Sequence, residues 1–211
     1  LQVLQTRSVA LVRHIVSMTT RRSMIAGLAG LAASGAAGNS RAAAAPSDLP
    51  PAAEALNGTA PAPAPLLRFT DAAGIRRTLA DYAGHGLVVN LWATWCGPCV
   101  AELPTLAAAA PELARAGILV LPISIDTTGA QVVKPFYASQ GITDLPILLD
   151  PSGDAMDTLN ASGIPVTIVI DTQGRLVARV DGAVDWSTKA TLRALRGLTG
   201  ATVPHPGVQP V

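Results

Sequence analysis

The sequence predicts an α/β domain in which helices cover both faces of a mixed central sheet. Three observations predict it. The runs Gly86–Trp92 and Gly117–Ile125 are almost wholly apolar, as in strands covered on both faces. Segments with helical character, after Cys99, over 130–140, over 154–159 and from Ser187 to Arg196, alternate with the strand-like runs. Turn signals at Asp71-Ala72-Ala73-Gly74 and Asp171-Thr172-Gln173-Gly174 each join two short strand-like runs, which adds antiparallel hairpins at both ends.

At 211 residues the chain has room for one domain of common size and an appendage. Residues 1–45 read as an N-terminal extension carrying an export signal or anchor, with Met18 as the expected start. The basic pair Arg21-Arg22 precedes an Ala/Gly-rich apolar stretch, Met24 to Gly38, which is shorter than the roughly 20 apolar residues of a spanning helix. Ala42-Ala43-Ala44 offers a cleavage site, and Thr20-Arg21-Arg22-Ser23 resembles a twin-arginine leader. A chance arginine pair in a general secretory leader, or an uncleaved membrane tether, fits the same residues. Residues 46–65 are Ala/Pro-rich and read as an extended linker.

The folded domain is expected over 66–199. Leu66–Thr70 and Ile75–Thr78 form a hairpin, and Leu79–Tyr82 a helical turn that Gly84-His85-Gly86 breaks, with His85 in a solvated loop. Gly86–Trp92 is the first central strand, with Trp92 in the core. Gly117–Ile125 is the next strand, followed by Asp126, read as a helix cap, and the helix 130–140. Leu145–Leu149 is a short strand and 154–159 a short helix. A strand follows Pro165, and Arg175–Val180 returns as an edge strand. Trp186 reads as a packing residue, and Ser187 as the cap of the last helix. Residues 200–211, with Pro204, Pro206 and Pro210, read as a flexible tail.

Both cysteines fall at one place, Trp95-Cys96-Gly97-Pro98-Cys99, where the first central strand hands over to a helix. The unpaired N–H groups and the positive dipole end of a helix start stabilise a thiolate on Cys96. Gly97 lets the chain turn past the sulfurs. Pro98 costs nothing in a first turn, because its missing N–H would have had no partner. Cys99 lies one helical turn in, within reach of Cys96. Cys96 is therefore the candidate nucleophile and Cys99 the resolving thiol. The alternative is a structural metal site, but zinc needs four ligands and the chain offers no third cysteine and only His14, His85 and His205. No metal and no cofactor beyond the dithiol are expected. Glu102, at i+3 from Cys99, shares its helix face and is either a proton acceptor or an ordinary glutamate near a helix start. Asn90 lies six residues before Cys96 and cannot titrate. Trp95 is placed to shield the disulfide, and Pro104 to kink the helix.

The stretch Asn90-Leu91-Trp92-Ala93-Thr94-Trp95-Cys96-Gly97-Pro98-Cys99, with Glu102-Leu103-Pro104, resembles the active site of the thioredoxin superfamily. Within it the stretch resembles the TlpA-like branch of periplasmic thiol:disulfide oxidoreductases, and the similarity covers about residues 66–197. The resemblance implies a thioredoxin-like fold. It implies a cis Pro165 facing the cysteines, with Ile164 and Pro165, together with Trp95, Gly97 and Pro98, forming the substrate groove. It implies a monomeric periplasmic reductant of protein disulfides in cytochrome c or copper-site maturation, supplied by a membrane thiol donor. Export agrees with a chain whose single cysteine pair leaves none for structure. A net charge of +1 gives no electrostatic case for nucleic acid. A disulfide-forming oxidant, a copper or partner-protein binding module and a thiol peroxidase of the same fold remain as alternatives.

Overall fold

A computed structural model describes residues 48–201. The leader, the Met18 start and most of the tail lie outside the described residues. Eight strands form one sheet in the order β1 (Asn57–Pro63), β8 (Arg175–Asp181), β7 (Val166–Ile170), β4 (Gly86–Trp92), β5 (Ile118–Ser124), β6 (Leu148–Leu149), β2 (Arg68–Asp71), β3 (Arg76–Thr78). β4 runs parallel to β5 and antiparallel to β7, so the sheet is mixed, as expected. The helices are α1 (Ala52–Ala55), α2 (Gly97–Arg115), α3 (Ala130–Gln140), α4 (Asp154–Thr158) and α5 (Lys189–Thr199). None of them is long and apolar enough to cross a membrane.

Every residue of β4, β5 and β7 is buried. Successive side chains of a strand point to opposite faces. Accordingly Val88 and Trp92 join one core cluster with Leu103, Leu106 and Leu113 of α2, with Leu195 of α5 and with Trp186 of the loop between β8 and α5. Leu87, Val89 and Leu91 join the other with Phe69, Leu121 and Ile168. Asn90 shares the α2 side with Val88 and Trp92 and is itself fully buried. The same alternation that builds two cores thus carries one amide into the face that packs on the cysteine helix.

Several expectations need correction. The Ala/Pro-rich residues 46–65 are not simply a tether, since they hold α1 and β1, and β1 pairs antiparallel with β8. Proline suits an outer strand, and the register shifts between Gly58 and Ala62. β8 is consequently not an edge strand. The segment is also tied to the loop after β8, Ala52 N–H donating to the Asp185 carbonyl and Asp185 N–H to that of Pro50, both at 2.8 Å. His85 is not solvated: it is buried, and it lines a cavity of about 360 Å³ with Tyr82, Leu79 and Ile170. The cap of α5 is Thr188, whose hydroxyl accepts from Thr191 N–H at 3.1 Å, while Ser187 bonds Asp185. Lastly, β6 is only two residues long, because Pro146 has no N–H to give a ladder.

The start of β4 lies hard against the end of α5. A Cβ on Gly86 would meet Thr199 Cβ at 2.7 Å, a side chain that is itself buried. Gly86→Ala should therefore lower stability by about 2 kcal/mol, read as a lower urea midpoint with unchanged slope.

Candidate active site

The two sulfurs sit where β4 ends and α2 begins. Cys96 is the N-cap of α2, in extended backbone, and its Sγ accepts the Cys99 N–H at 3.2 Å. Cys96 and Cys99 are joined as a disulfide with an S–S length of 2.09 Å. They differ in access: Cys96 is 6% exposed and Cys99 wholly buried. Gly97 and Pro98 are exposed above them, and Trp95 projects into solvent at 69% exposure. Cys96 is thus the less deeply buried of the two cysteines, and it follows directly on an exposed indole.

Asp126 anchors the approach to the cysteines instead of capping α3, whose N-cap is Gly129. Its carboxylate accepts from Thr94 N–H at 2.9 Å, from the Thr94 hydroxyl at 2.7 Å and from the Ser124 hydroxyl at 2.8 Å. The end of β5 thereby holds the turn that positions Trp95 and Cys96. Asp126→Ala leaves these donors unpaired at a buried position. It should cost about 3 kcal/mol, measured by denaturant unfolding of the oxidised protein.

The Ile164–Pro165 bond is cis, as the resemblance implied. The Ile164 carbonyl oxygen lies 3.6 Å from Cys96 Sγ. Pro165 is buried beside it, its own carbonyl accepting Gly182 N–H at 2.9 Å. Residues distant in sequence, Cys96 and Ile164-Pro165, are thereby brought together.

Glu102 is not a surface residue. It is fully buried on the sheet side of α2. Its Oε1 accepts from Trp186 Nε1–H at 2.7 Å and Val184 N–H at 3.2 Å, and its Oε2 from the Asn90 amide at 3.2 Å. Burial pushes its pKa up from 4.5 to about 7, against the pull of these three hydrogen bonds. None of the three partners is charged. Trp186 does pack in the core, but it is also the shortest donor to this carboxyl, a role its sequence context did not suggest. The Asn90 partnership was signalled by one polar residue in an otherwise apolar strand. Among the described residues no group of three or more His, Cys, Asp or Glu side chains is placed to hold a metal ion.

A model of the AhpC/TSA family matches residues 60–179. The chain belongs to that family. It is similar to thiol-disulfide oxidoreductase ResA of Geobacillus kaustophilus, 31% identical over 121 residues that make up 57% of this chain and 68% of that protein. Among solved structures it resembles a putative thiol:disulfide interchange protein DsbE from Chlorobium tepidum. That match has a TM-score of 0.59 at 21% identity, over 68% of this chain and all of the other, and it shows the fold. The exposed lipoprotein thioredoxin Etrx1 of Streptococcus pneumoniae is 28% identical with a TM-score of 0.54, over 63% of this chain and 99% of that one. This AhpC/TSA member is a thioredoxin-fold thiol-disulfide oxidoreductase carrying a Cys96–Cys99 pair.

Proposed function

We propose that this oxidoreductase works in the periplasm and reduces disulfides of partner proteins, with Cys96 as nucleophile and Cys99 as resolving thiol. The observation that carries the division of roles is the difference in access between the two cysteines: Cys96 keeps 6% exposure and Cys99 none. The Cys96 thiolate attacks one sulfur of the substrate disulfide, forming a mixed disulfide and expelling the other as a thiolate. Cys99 then gives up its proton and attacks Cys96 Sγ. The Cys96–Cys99 disulfide forms and the second substrate sulfur leaves as a thiolate. Glu102, one turn further along α2, is the acceptor for the Cys99 proton. Its pKa near neutrality suits a group that must both take and return a proton at physiological pH.

Ile164, Pro165, Trp95, Gly97 and Pro98 form the rim over which an extended substrate segment lies. The periplasmic assignment is supported by the leader-like residues 19–44 and by the use of the only two cysteines as a working pair. Assembly of cytochrome c or of a copper site is the process that the resemblance favours, with a membrane thiol as electron donor and the chain acting as a monomer.

The experiment that tests the direction is the midpoint potential of the Cys96–Cys99 pair against glutathione or dithiothreitol buffers. A value around −270 mV or lower is expected of a reductant, and a value around −120 mV would make the protein an oxidant.

A further inference from the structure

Strand β4 turns Val88, Asn90 and Trp92 toward α2, and Asn90 and Glu102 meet there with no solvent exposure at either residue. Asn90 Nδ2 spends both of its protons at once. One goes to Glu102 Oε2 at 3.2 Å and the other to Thr167 Oγ1 of β7 at 2.9 Å. Its Oδ1 has no partner. This arrangement fits a carboxylate, which only accepts hydrogen bonds. It does not fit the carboxylic acid that Glu102 becomes when it takes a proton.

The place of that proton is decided by the rest of the cluster. Oε1 is already filled by Trp186 Nε1–H and Val184 N–H, so the acid proton belongs on Oε2, against the Asn90 N–H. Half a turn of the amide removes the conflict. Oδ1 then takes the place of Nδ2 and accepts from Glu102 Oε2–H. It also accepts from the Thr167 hydroxyl, which serves equally as donor or acceptor. The two ends of an amide are nearly equal in size, so the turn asks for no repacking. In either orientation one end of the amide lacks a partner, while the other end pairs with Glu102.

We propose that Asn90 is a positioning residue that keeps Glu102 paired and buried in both protonation states by turning its amide over as the proton arrives and leaves. The inference rests on the reading of Glu102 as the proton acceptor for Cys99. The groups facing Glu102 are Asn90 from β4, Val184 N–H and Trp186 from the loop after β8, and Cys99 one turn earlier on α2. The nearby Asp185 carboxylate is turned to Ser187. Of the groups facing Glu102, only the Cys99 thiol of the reduced enzyme can titrate. An aliphatic side chain at 90 would serve neither form, and the carboxylate would lose more, because hydrogen bonds to charged groups are the stronger ones.

The test is nuclear magnetic resonance of the full chain from pH 5 to 9, with the carboxyl carbon of Glu102 and the side-chain amide of Asn90 followed together. The Glu102 carboxyl is expected to titrate near neutrality. The cross-peak from the Asn90 NH₂ to the Thr167 methyl should be present at pH 9 and lost at pH 5 with the same midpoint. In Glu102→Gln the amide should hold one orientation at every pH. A Glu102 carboxyl that titrates while the Asn90–Thr167 cross-peak persists throughout overturns this inference alone. A Glu102 carboxyl that does not titrate in this range overturns the proton-acceptor reading and this inference with it. A second measurement uses Asn90→Leu, in which the Glu102 midpoint should rise by about one pH unit. An unchanged midpoint there also counts against the proposal.

Discussion

Cys96→Ser should lose disulfide-reducing turnover by roughly a thousandfold or more, and Cys99→Ser should lose turnover equally while accumulating a stable mixed disulfide with substrate. The expectation follows from geometry. Cys96 is the less deeply buried cysteine, beside the Ile164 carbonyl and next to the exposed Trp95, whereas Cys99 is wholly buried. A serine at 96 leaves an alcohol that does not ionise near neutrality, and it leaves the one remaining thiol where no substrate sulfur can approach. A serine at 99 leaves the attacking thiolate intact and removes only the group that ends the encounter. Reduction of a fluorescent peptide disulfide, with mass spectrometry of the trapped adduct, separates the cases. An adduct on Cys99 in the Cys96→Ser protein, formed as fast as the one on Cys96 in Cys99→Ser, would reverse the assignment of roles.

The trapped adduct is also the route to the partner. Cys99→Ser, expressed as the full chain in cells, should carry its substrate through purification as a covalent complex. The exposed rim of Trp95, Gly97 and Pro98 is open to an extended chain, and the loop containing Ile164 supplies a backbone carbonyl next to the reacting sulfur.

How much of this was legible beforehand differs from residue to residue, for physical reasons. The strands β4 and β5 were readable because a strand buried on both faces must be apolar along its whole length. The cysteine turn was readable because strand, Gly97, Pro98 and helix each constrain the backbone locally. β1 was not readable. Its partner is β8, more than a hundred residues away in sequence, and its own residues, Gly58 and alternating alanines and prolines, show no apolar–polar alternation. His85 misled because a glycine on either side marks a turn but does not say whether the turn faces water. Asp126 and Glu102 show the same limit more sharply. Each was correctly noticed as an acidic residue next to a helix start, where the dipole alone would explain it. What sets their roles is long-range: Thr94 for Asp126, and Asn90, Val184 and Trp186 for Glu102. Local pattern gives the residue, and tertiary packing gives its environment.

That environment makes Glu102→Gln the most informative substitution after the cysteines, because stability and activity should move in opposite directions. Burial raises the Glu102 pKa from an ordinary 4.5 to about 7. Between these two values the folded protein holds a proton that the unfolded chain has released. Stability therefore falls as pH rises from about 4.5 to about 7, and no further loss from this group occurs above that. Over this interval the loss is about 3 kcal/mol, since each pH unit is worth about 1.4 kcal/mol. Glutamine has the shape of the protonated acid. Its carbonyl can still accept from Trp186 and Val184, and its amide nitrogen can donate to a turned Asn90. In the oxidised protein Glu102→Gln should thus match wild type near pH 4.5 and exceed it by about 3 kcal/mol at pH 8, as the difference in unfolding free energy in urea. Thiol exchange should meanwhile slow by about a hundredfold at pH 8, because the Cys99 proton has lost its acceptor. The pH dependence is what separates this account from simple repacking. A variant that is more stable by the same amount at both pH values would mean that the folded and unfolded chains release the Glu102 proton at the same pH, so that burial does not raise its pKa. One that is less stable at pH 8 would mean that the buried carboxylate is better satisfied than its uncharged partners imply. Either result would remove Glu102 as the proton acceptor and leave Cys99 to exchange its proton with water when the disulfide opens.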